Sequence, residues 1–324
     1  MFFVMKILLI DADSKIPNLA LMKLSAYHKS IGDTISLCRL GLPYYPSRNK
    51  RHYSFSSGIY DKIYCSVVFD GNLGWIHGDD IDFGGTGYSL DKDLPDHIEC
   101  LLPDYGIYPE NKVSYGFISR GCIRNCYFCK VPKKEGHIRQ VGFISDIVRH
   151  KVVKFMDNNI LALPNHKEIL QEIVDKKIRC SFNQGLDLRL VDSENSILLS
   201  NINYEGEYIF AFDDWSYLKL IEKKIKLLDW AKDWKLKFFV YCHPDMEISN
   251  IVDRISWLKE RKYLPYIMRD VDCYGSQNDN FYKDISAWCN QAGFFKKKSF
   301  KDFLNTRHTS LKRINKSLNL YKGE

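Results

Sequence analysis

The sequence predicts an α/β protein. Its larger part reads as a partial (β/α) barrel of about six parallel strands, with a small α/β segment before it and a helical tail after it. Three observations carry this. Six short apolar runs recur between residues 113 and 268, most of them separated by helix-length segments, which implies parallel strands joined by right-handed crossovers. Polar residues recur just beyond the ends of these runs, at Ser119 and Arg120, at Asp157, Asn158 and Asn159, at Asn183 and Gln184, at Asp213 and Asp214, and at His243. Such residues suit the C-terminal rim of a barrel, where sites in that fold lie. Finally, 45% hydrophobic and 27% charged residues over 324 positions are the proportions of a folded globular chain, which excludes wholesale disorder.

The apolar start of the chain is interrupted by Lys6 and runs into Asp11 and Asp13. It lacks a basic start and a small-residue cleavage site, so residues 5–10 read as a buried strand and not as a signal peptide. Residues 18–31 place Leu19, Leu21, Met22 and Leu24 at helical spacing, closed by Gly32 and Asp33. A second strand is expected over 60–69. Residues 40–59 and 70–110 are rich in Gly, Pro, Tyr and Asp and read as loops and short strands. Residues 1–110 thus form a small, irregular α/β domain. The barrel, 111–275, has strands expected at 113–118, 152–156, 179–183, 208–212, 236–241 and 265–268. Its helices are expected at 145–149, 166–177, 193–201, 216–230 and 247–262. A helix over 279–293 and a basic run with apolar residues at three-or-four spacing make a C-terminal extension, 276–324.

The net charge of +7 is localised. Residues 296–324 hold nine Lys or Arg against Asp302 and Glu324, and the rest of the chain balances. An amphipathic tail docked by its apolar stripe leaves its basic face to water, or to a polyanionic partner such as nucleic acid. No apolar run approaches the ~18 residues of a membrane span. Of ten cysteines, Cys38, Cys65, Cys100, Cys180, Cys242, Cys273 and Cys289 are scattered singly, as free thiols of a reducing cytosol are.

The other three crowd into Gly121-Cys122-Ile123-Arg124-Asn125-Cys126-Tyr127-Phe128-Cys129, a C-x3-C-x2-C spacing just after the first barrel strand. Three thiolates in one turn can converge on a soft metal centre. Three protein ligands leave a coordination position open, the mark of a reactive centre. Structural zinc, with His137 or a distant cysteine as fourth ligand, is the plain alternative, although such sites usually pair two C-x2-C units and no second pair exists.

This motif after a first barrel strand resembles the signature of the radical SAM superfamily, over roughly residues 111–275. The resemblance implies a cytoplasmic enzyme in which Cys122, Cys126 and Cys129 hold a [4Fe–4S] cluster. The fourth iron would chelate S-adenosylmethionine, and one electron would cleave it to methionine and a 5′-deoxyadenosyl radical. A flavodoxin- or ferredoxin-type protein would supply that electron. Phe128 would pack near the adenine, with an ordinary core aromatic as the alternative. Asp157, Asn158 and Asn159 stand where the family often has a Gly-Gly-Glu stretch that binds the methionyl amine. Asn and Asp can accept from an ammonium group, and an ordinary turn or helix cap is the alternative. Asn183 and Gln184 are candidates for the ribose or the substrate. Arg189 is a candidate for the carboxylate of S-adenosylmethionine, or else a plain partner of Asp187 or Asp192. Asp213 and Asp214 are candidates for the ribose, or caps for the helix that follows. His243 ends the fifth strand and is a candidate to face the substrate, or else an ordinary surface or core histidine, and Arg269, Asp270 and Asp272 follow the sixth.

The N-terminal segment is similar to the subgroup whose barrel follows a flavodoxin-like, cobalamin-binding domain. The D-x-H-x-x-G cobalamin motif is absent, because His28 stands four residues before Gly32. His28 reads as a helix-surface residue, residues 84–87 read as a turn rather than a phosphate loop, and cobalamin stays open. The catalytic residues and the reaction on the substrate are not read from the sequence. A rival of another class is a non-catalytic, metal-stabilised nucleic-acid-binding protein that uses the cysteines structurally and the tail electrostatically.

Overall fold

The computed structural model describes residues 4–43, 51–56, 58–308 and 310–322. The expected loops over 40–59 and the end of the tail lie partly outside these residues. The chain is a mixed α/β protein with several sheets of parallel strands and a helical C-terminal region. It divides into two compact units. One is Met1–Gly116 with Ser145–His150, and the other is Phe117–Ile144 with Lys151–Glu324. The C-terminal helices therefore belong to the second unit.

In the first unit, β1 (Lys6–Asp11) lies between β2 (Thr34–Arg39) and β4 (Lys62–Ser66), and β6 (Ile81–Gly84) extends the sheet beyond β4, all in parallel. The short β3 (Tyr53–Phe55) and β5 (Ile76–Gly78) pair separately. The unbroken apolar run of β1 follows from burial on both faces. Ile7 and Leu9 pack with Leu21, Leu24 and Ile98, while Leu8 and Ile10 pack with Ile63, Cys65, Val67 and Trp75. The helix Leu19–Ser30 is capped by Asn18, whose side chain accepts from the Leu21 amide at 3.2 Å. Strand β2 was not expected. It sits at the sheet edge, where Ile35 and Leu37 alternate with polar neighbours and are only half-buried.

His28 corrects the surface reading. It is 3% exposed, its Nδ1 lies 2.7 Å from Asp33 Oδ2, and its Nε2 lies 3.1 Å from the Tyr64 hydroxyl. The two partners come from the turn and from β4, so the helix alone could not reveal them. Gly84 ends β6, and the turn follows it over 85–88, where Gly85 has φ +92°. β7 (Val113–Gly116) is held to its own unit by Ser114, whose hydroxyl accepts from the Arg149 and His150 amides at 2.9 and 2.8 Å.

In the second unit β8 (Ser119–Arg120) and β9 (Arg139–Gln140) form a small antiparallel ribbon. β10 (Val152–Phe155), β11 (Arg179–Phe182) and β12 (Asn203–Tyr204) pair in parallel with β11 in the middle. β13 (Tyr208–Ala211), β14 (Leu236–Cys242) and β15 (Leu264–Arg269) form another parallel set. One bridge, Leu186 to Phe210, joins the two, with the Leu186 amide donating to Ile209 O at 2.8 Å. Helices His166–Asp175, Ser193–Asn201, Leu218–Ile225 and Ile248–Glu260 make the crossovers. The expected helix over 216–230 is broken into a short α-helix flanked by 3₁₀ turns, Trp215–Tyr217 and Lys226–Leu228.

Side chains alternate across a strand, and the two faces here differ. Val153, Phe155, Cys180, Phe182, Phe210, Phe238, Val240 and Ile267 are deeply buried. On the opposite face Ser181, Ile209 and Phe239 are half-buried, and Tyr266 and Met268 are 41% and 43% exposed.

The tail is helical, with Phe300–Arg307 and Leu311–Lys322 following Asp279–Cys289 and Ala292–Lys297. Its charge is partly used inside the unit. Asp284, fully buried, receives His308 Nε2 at 2.8 Å, Arg313 Nη2 at 2.9 Å and Ser317 Oγ at 3.1 Å, and Arg307 lies 3.7 Å away. Phe300 packs on Trp288 at a tilt and Tyr321 meets it edge-on. Among the described residues no helix is long and apolar enough to cross a membrane.

Candidate metal centre

The cysteine loop leaves β8 through Gly121, whose φ is +84°. A Cβ there would lie 2.2 Å from His137 O, so the turn accepts only glycine. Glu135, the acid in the basic stretch after the loop, organises the base of this turn. It accepts from the Gly121 amide at 2.9 Å, Arg120 Nη1 at 3.2 Å and Asn158 Nδ2 at 2.7 Å. The Cys122 amide donates to Gly136 O at 3.1 Å.

The three cysteines are free thiols of intermediate exposure. Cys122 Sγ accepts from the Arg124 amide at 3.3 Å and from Asn159 Nδ2 at 3.6 Å. Cys129 Sγ accepts from the Val131 amide at 3.4 Å, and the Cys129 amide donates to Cys126 O at 3.0 Å. Burial raises the Cys126 and Cys129 thiols above the ordinary range. At Cys126 the nearby Asp213 adds to this and Arg189 opposes it.

Among the described residues, one set of His, Cys, Asp or Glu ligand atoms gathers within 4.8 Å, and it is His243, Asp270 and Asp272. Three thiols make a soft donor set, which suits zinc or an iron–sulfur cluster.

Other sequence-predicted residues surround the loop. Asp157, 1% exposed, accepts from the Ser119 amide and hydroxyl and from the Ile118 amide, so both its oxygens are taken by protein donors. Burial pushes its carboxyl up to about 6 against the pull of these bonds. Asn159 is 3% exposed; its nitrogen faces Cys122, and its Oδ1 is buried without a partner. Arg189 is engaged by Asp187 through Nε at 2.6 Å and Nη2 at 3.1 Å, and Arg124 of the loop donates to the same carboxylate at 2.9 Å. Asp187 is buried, which would raise it, but Arg189 and Arg124 hold it below the usual range. Asp213 is pushed up to about 6 by burial, against the pull of Arg254 and Arg189. Asp214 caps the following turn, accepting from the Ser216 amide at 2.8 Å and from Asn250 at 3.4 Å. Asn183 is half-buried and Gln184 exposed, and neither side chain has a protein hydrogen-bond partner among the described residues.

Phe128 lies flat on Tyr241, with ring centroids 3.9 Å apart and planes at 17°. The Tyr241 hydroxyl donates to Asp270 Oδ2 at 2.7 Å. Beyond it, the Asp245 amide donates to His243 Nδ1 at 3.1 Å, which leaves the neutral ring's proton on Nε2, 3.4 Å from Asp272. The aromatic Tyr127, 75% exposed, flanks His243.

Sequence reasoning missed Glu135, Tyr241 and Arg254. Arg254, fully buried, donates to Phe212 O at 2.8 Å and Tyr241 O at 3.0 Å and so ties the ends of β13 and β14 together. An arginine on the apolar face of a predicted helix was its one available signal. A comparison with protein-family models returns no match, and a search of the curated proteins returns none either.

Proposed function

We propose that this protein is a radical SAM enzyme, with Cys122, Cys126 and Cys129 as the ligands of a [4Fe–4S] cluster. The observation that carries the reading is the pairing of this C-x3-C-x2-C loop with Asn159, a buried carboxamide beside Cys122 whose Oδ1 has no partner. A buried acceptor left unsatisfied costs about 1–3 kcal/mol, which calls for a donor. The ammonium group of S-adenosylmethionine is such a donor. When bound, the cluster supplies one electron that splits S-adenosylmethionine into methionine and a 5′-deoxyadenosyl radical.

The chain's own residues do the positioning. Gly121 and Glu135 set the turn, and Arg124 fastens the loop to Asp187. Phe128, backed by Tyr241, offers its other face to the adenine. Asn158 and Asp157 shape the loop from beneath. Asn183, Gln184 and Asp213 are the side chains this reading gives to the ribose or the substrate, while Arg189 and Asp214 serve chiefly to brace Asp187 and the turn at 215–217. The finer fold in this reading is a six-stranded partial (β/α) barrel after a flavodoxin-like domain without the cobalamin motif. A reducing, cytoplasmic setting with a flavodoxin- or ferredoxin-type electron donor goes with it. The rival nucleic-acid-binding reading draws on the basic tail, where Arg307 and Arg313 already face Asp284.

The test is anaerobic reconstitution with iron and sulfide. Wild type is expected to show iron–sulfur absorbance and to release 5′-deoxyadenosine from S-adenosylmethionine under reduction, and Cys126→Ala to lose both. Wild type that takes up only zinc and forms no 5′-deoxyadenosine overturns the reading.

A further inference from the structure

We infer that Asn159 is a positioning residue that tunes the reduction potential of the cluster through Cys122, an inference that rests on the cluster reading above. The three sulfurs are not equivalent in their surroundings. Cys122 Sγ faces two N–H donors, the Arg124 amide at 3.3 Å and the Asn159 carboxamide at 3.6 Å. Cys129 Sγ faces one, the Val131 amide at 3.4 Å. The Cys122 and Cys129 amide donors come from the loop's own backbone two residues on, and any side chain at 124 or 131 other than proline would supply them. Asn159 is different. It comes from beyond the end of β10, it is a side chain, and it is 3% exposed, so water does not compete for its N–H.

A hydrogen bond to a ligating sulfur draws electron density from it. It therefore stabilises the reduced, more negative state and raises the potential. The bond is formed in a poorly hydrated place, where its electrostatic effect is larger than in water. The local structure holds the carboxamide in place. Asp157 is fixed by Ser119 and Ile118, and Asn158 by Glu135, so the two residues before Asn159 are anchored to the same ribbon that launches the cysteine loop. The donor and the sulfur are thus carried on one hydrogen-bonded framework. A leucine at 159 would match the volume of the carboxamide and remove the donor. An aspartate would keep the shape and replace the donor with an acceptor.

The experiment is a dye-mediated redox titration of the full-length, reconstituted protein without S-adenosylmethionine, followed by the electron paramagnetic resonance signal of the reduced cluster and normalised to iron and sulfide content. Asn159→Leu is expected to lower the midpoint potential. At fixed poise the oxidised-to-reduced ratio should rise about tenfold, equivalent to 59 mV for a one-electron couple. Asn159→Asp is expected to lower it at least as far. Either variant with full iron and sulfide and the wild-type potential overturns the inference. If Asn159→Leu cannot hold a cluster, the Asp variant decides by the same criterion. Wild type that binds no iron and sulfide at all overturns the cluster reading, and this inference with it, and metal analysis separates that outcome from an unchanged potential.

Discussion

At Gly121 the chain turns with φ +84° and passes against the backbone of His137. Both conditions exclude a side chain. Gly121→Ala is expected to destabilise the second unit by roughly 1–3 kcal/mol and to cut iron uptake on reconstitution. A variant with wild-type melting temperature and iron content would show that the turn relaxes. Asp157 gives a pH signature. Its carboxyl is pushed up to about 6 by burial, above its unfolded value of 3.8. The folded state therefore holds the proton longer, and stability from this group falls as pH rises from about 4 to about 6, by about 3 kcal/mol at most. Denaturant melts across that range should show the loss in wild type and not in Asp157→Asn, whose amide cannot ionise. These local features divide cleanly by legibility. The cysteines and Gly121 lie within nine consecutive residues and could be read as a motif. Glu135, Tyr241 and Arg254 act across the fold, and nothing in their sequence neighbourhoods marks their partners. His28 was misread for the same reason, since Tyr64 is brought to it only by the pairing of β1 and β4.

Among the elements, the two-residue strands β8, β9 and β12 are too short and polar to be marked, while β10, β11, β13, β14 and β15 were legible because they are apolar runs between turn residues. The break in the helix after Asp214 was not, since the heptad-like apolar spacing of residues 218–228 continues through it. The tail changes meaning most. Its apolar stripe was expected to dock, and Ile314 is indeed buried, but part of the basic face is also turned inward to Asp284. Burial would raise that carboxyl, yet Arg313 and His308 hold it below the usual range. Its contribution to stability is therefore present above about pH 4 and is lost as pH falls through the lowered value. Acidification below pH 4 is expected to free the helices Phe300–Arg307 and Leu311–Lys322 to protease before the rest of the unit opens. Asp284→Ala should do the same at neutral pH, at a cost of about 3 kcal/mol. Equal cleavage rates in wild type and variant would show that the apolar contacts alone hold the tail.

The whole molecule is two units through which the chain passes more than once. Residues 117–144 and 151–324 belong to one unit, and Ser145–His150, between them, to the other. Within its unit that short segment gives its Arg149 and His150 amides to Ser114, and it lays Ile147 where a Cβ on Gly116 would stand 2.7 Å from its side chain. A polypeptide covering only 117–324 would carry Ile147, 5% exposed in the full chain, without the residues that cover it. Such a fragment is expected to melt without a cooperative transition, while the full chain melts cooperatively; a sharp melt of the fragment would show that the segment is dispensable. The same interleaving bears on inheritance. A single recombination event in the gene can graft a new partner onto a protein whose domains follow one another like beads. Here one crossover near residue 116 would bring a foreign first unit to a segment, 145–150, still shaped for the old one. The two units can be exchanged between lineages only together, or by a double event that replaces those six residues as well.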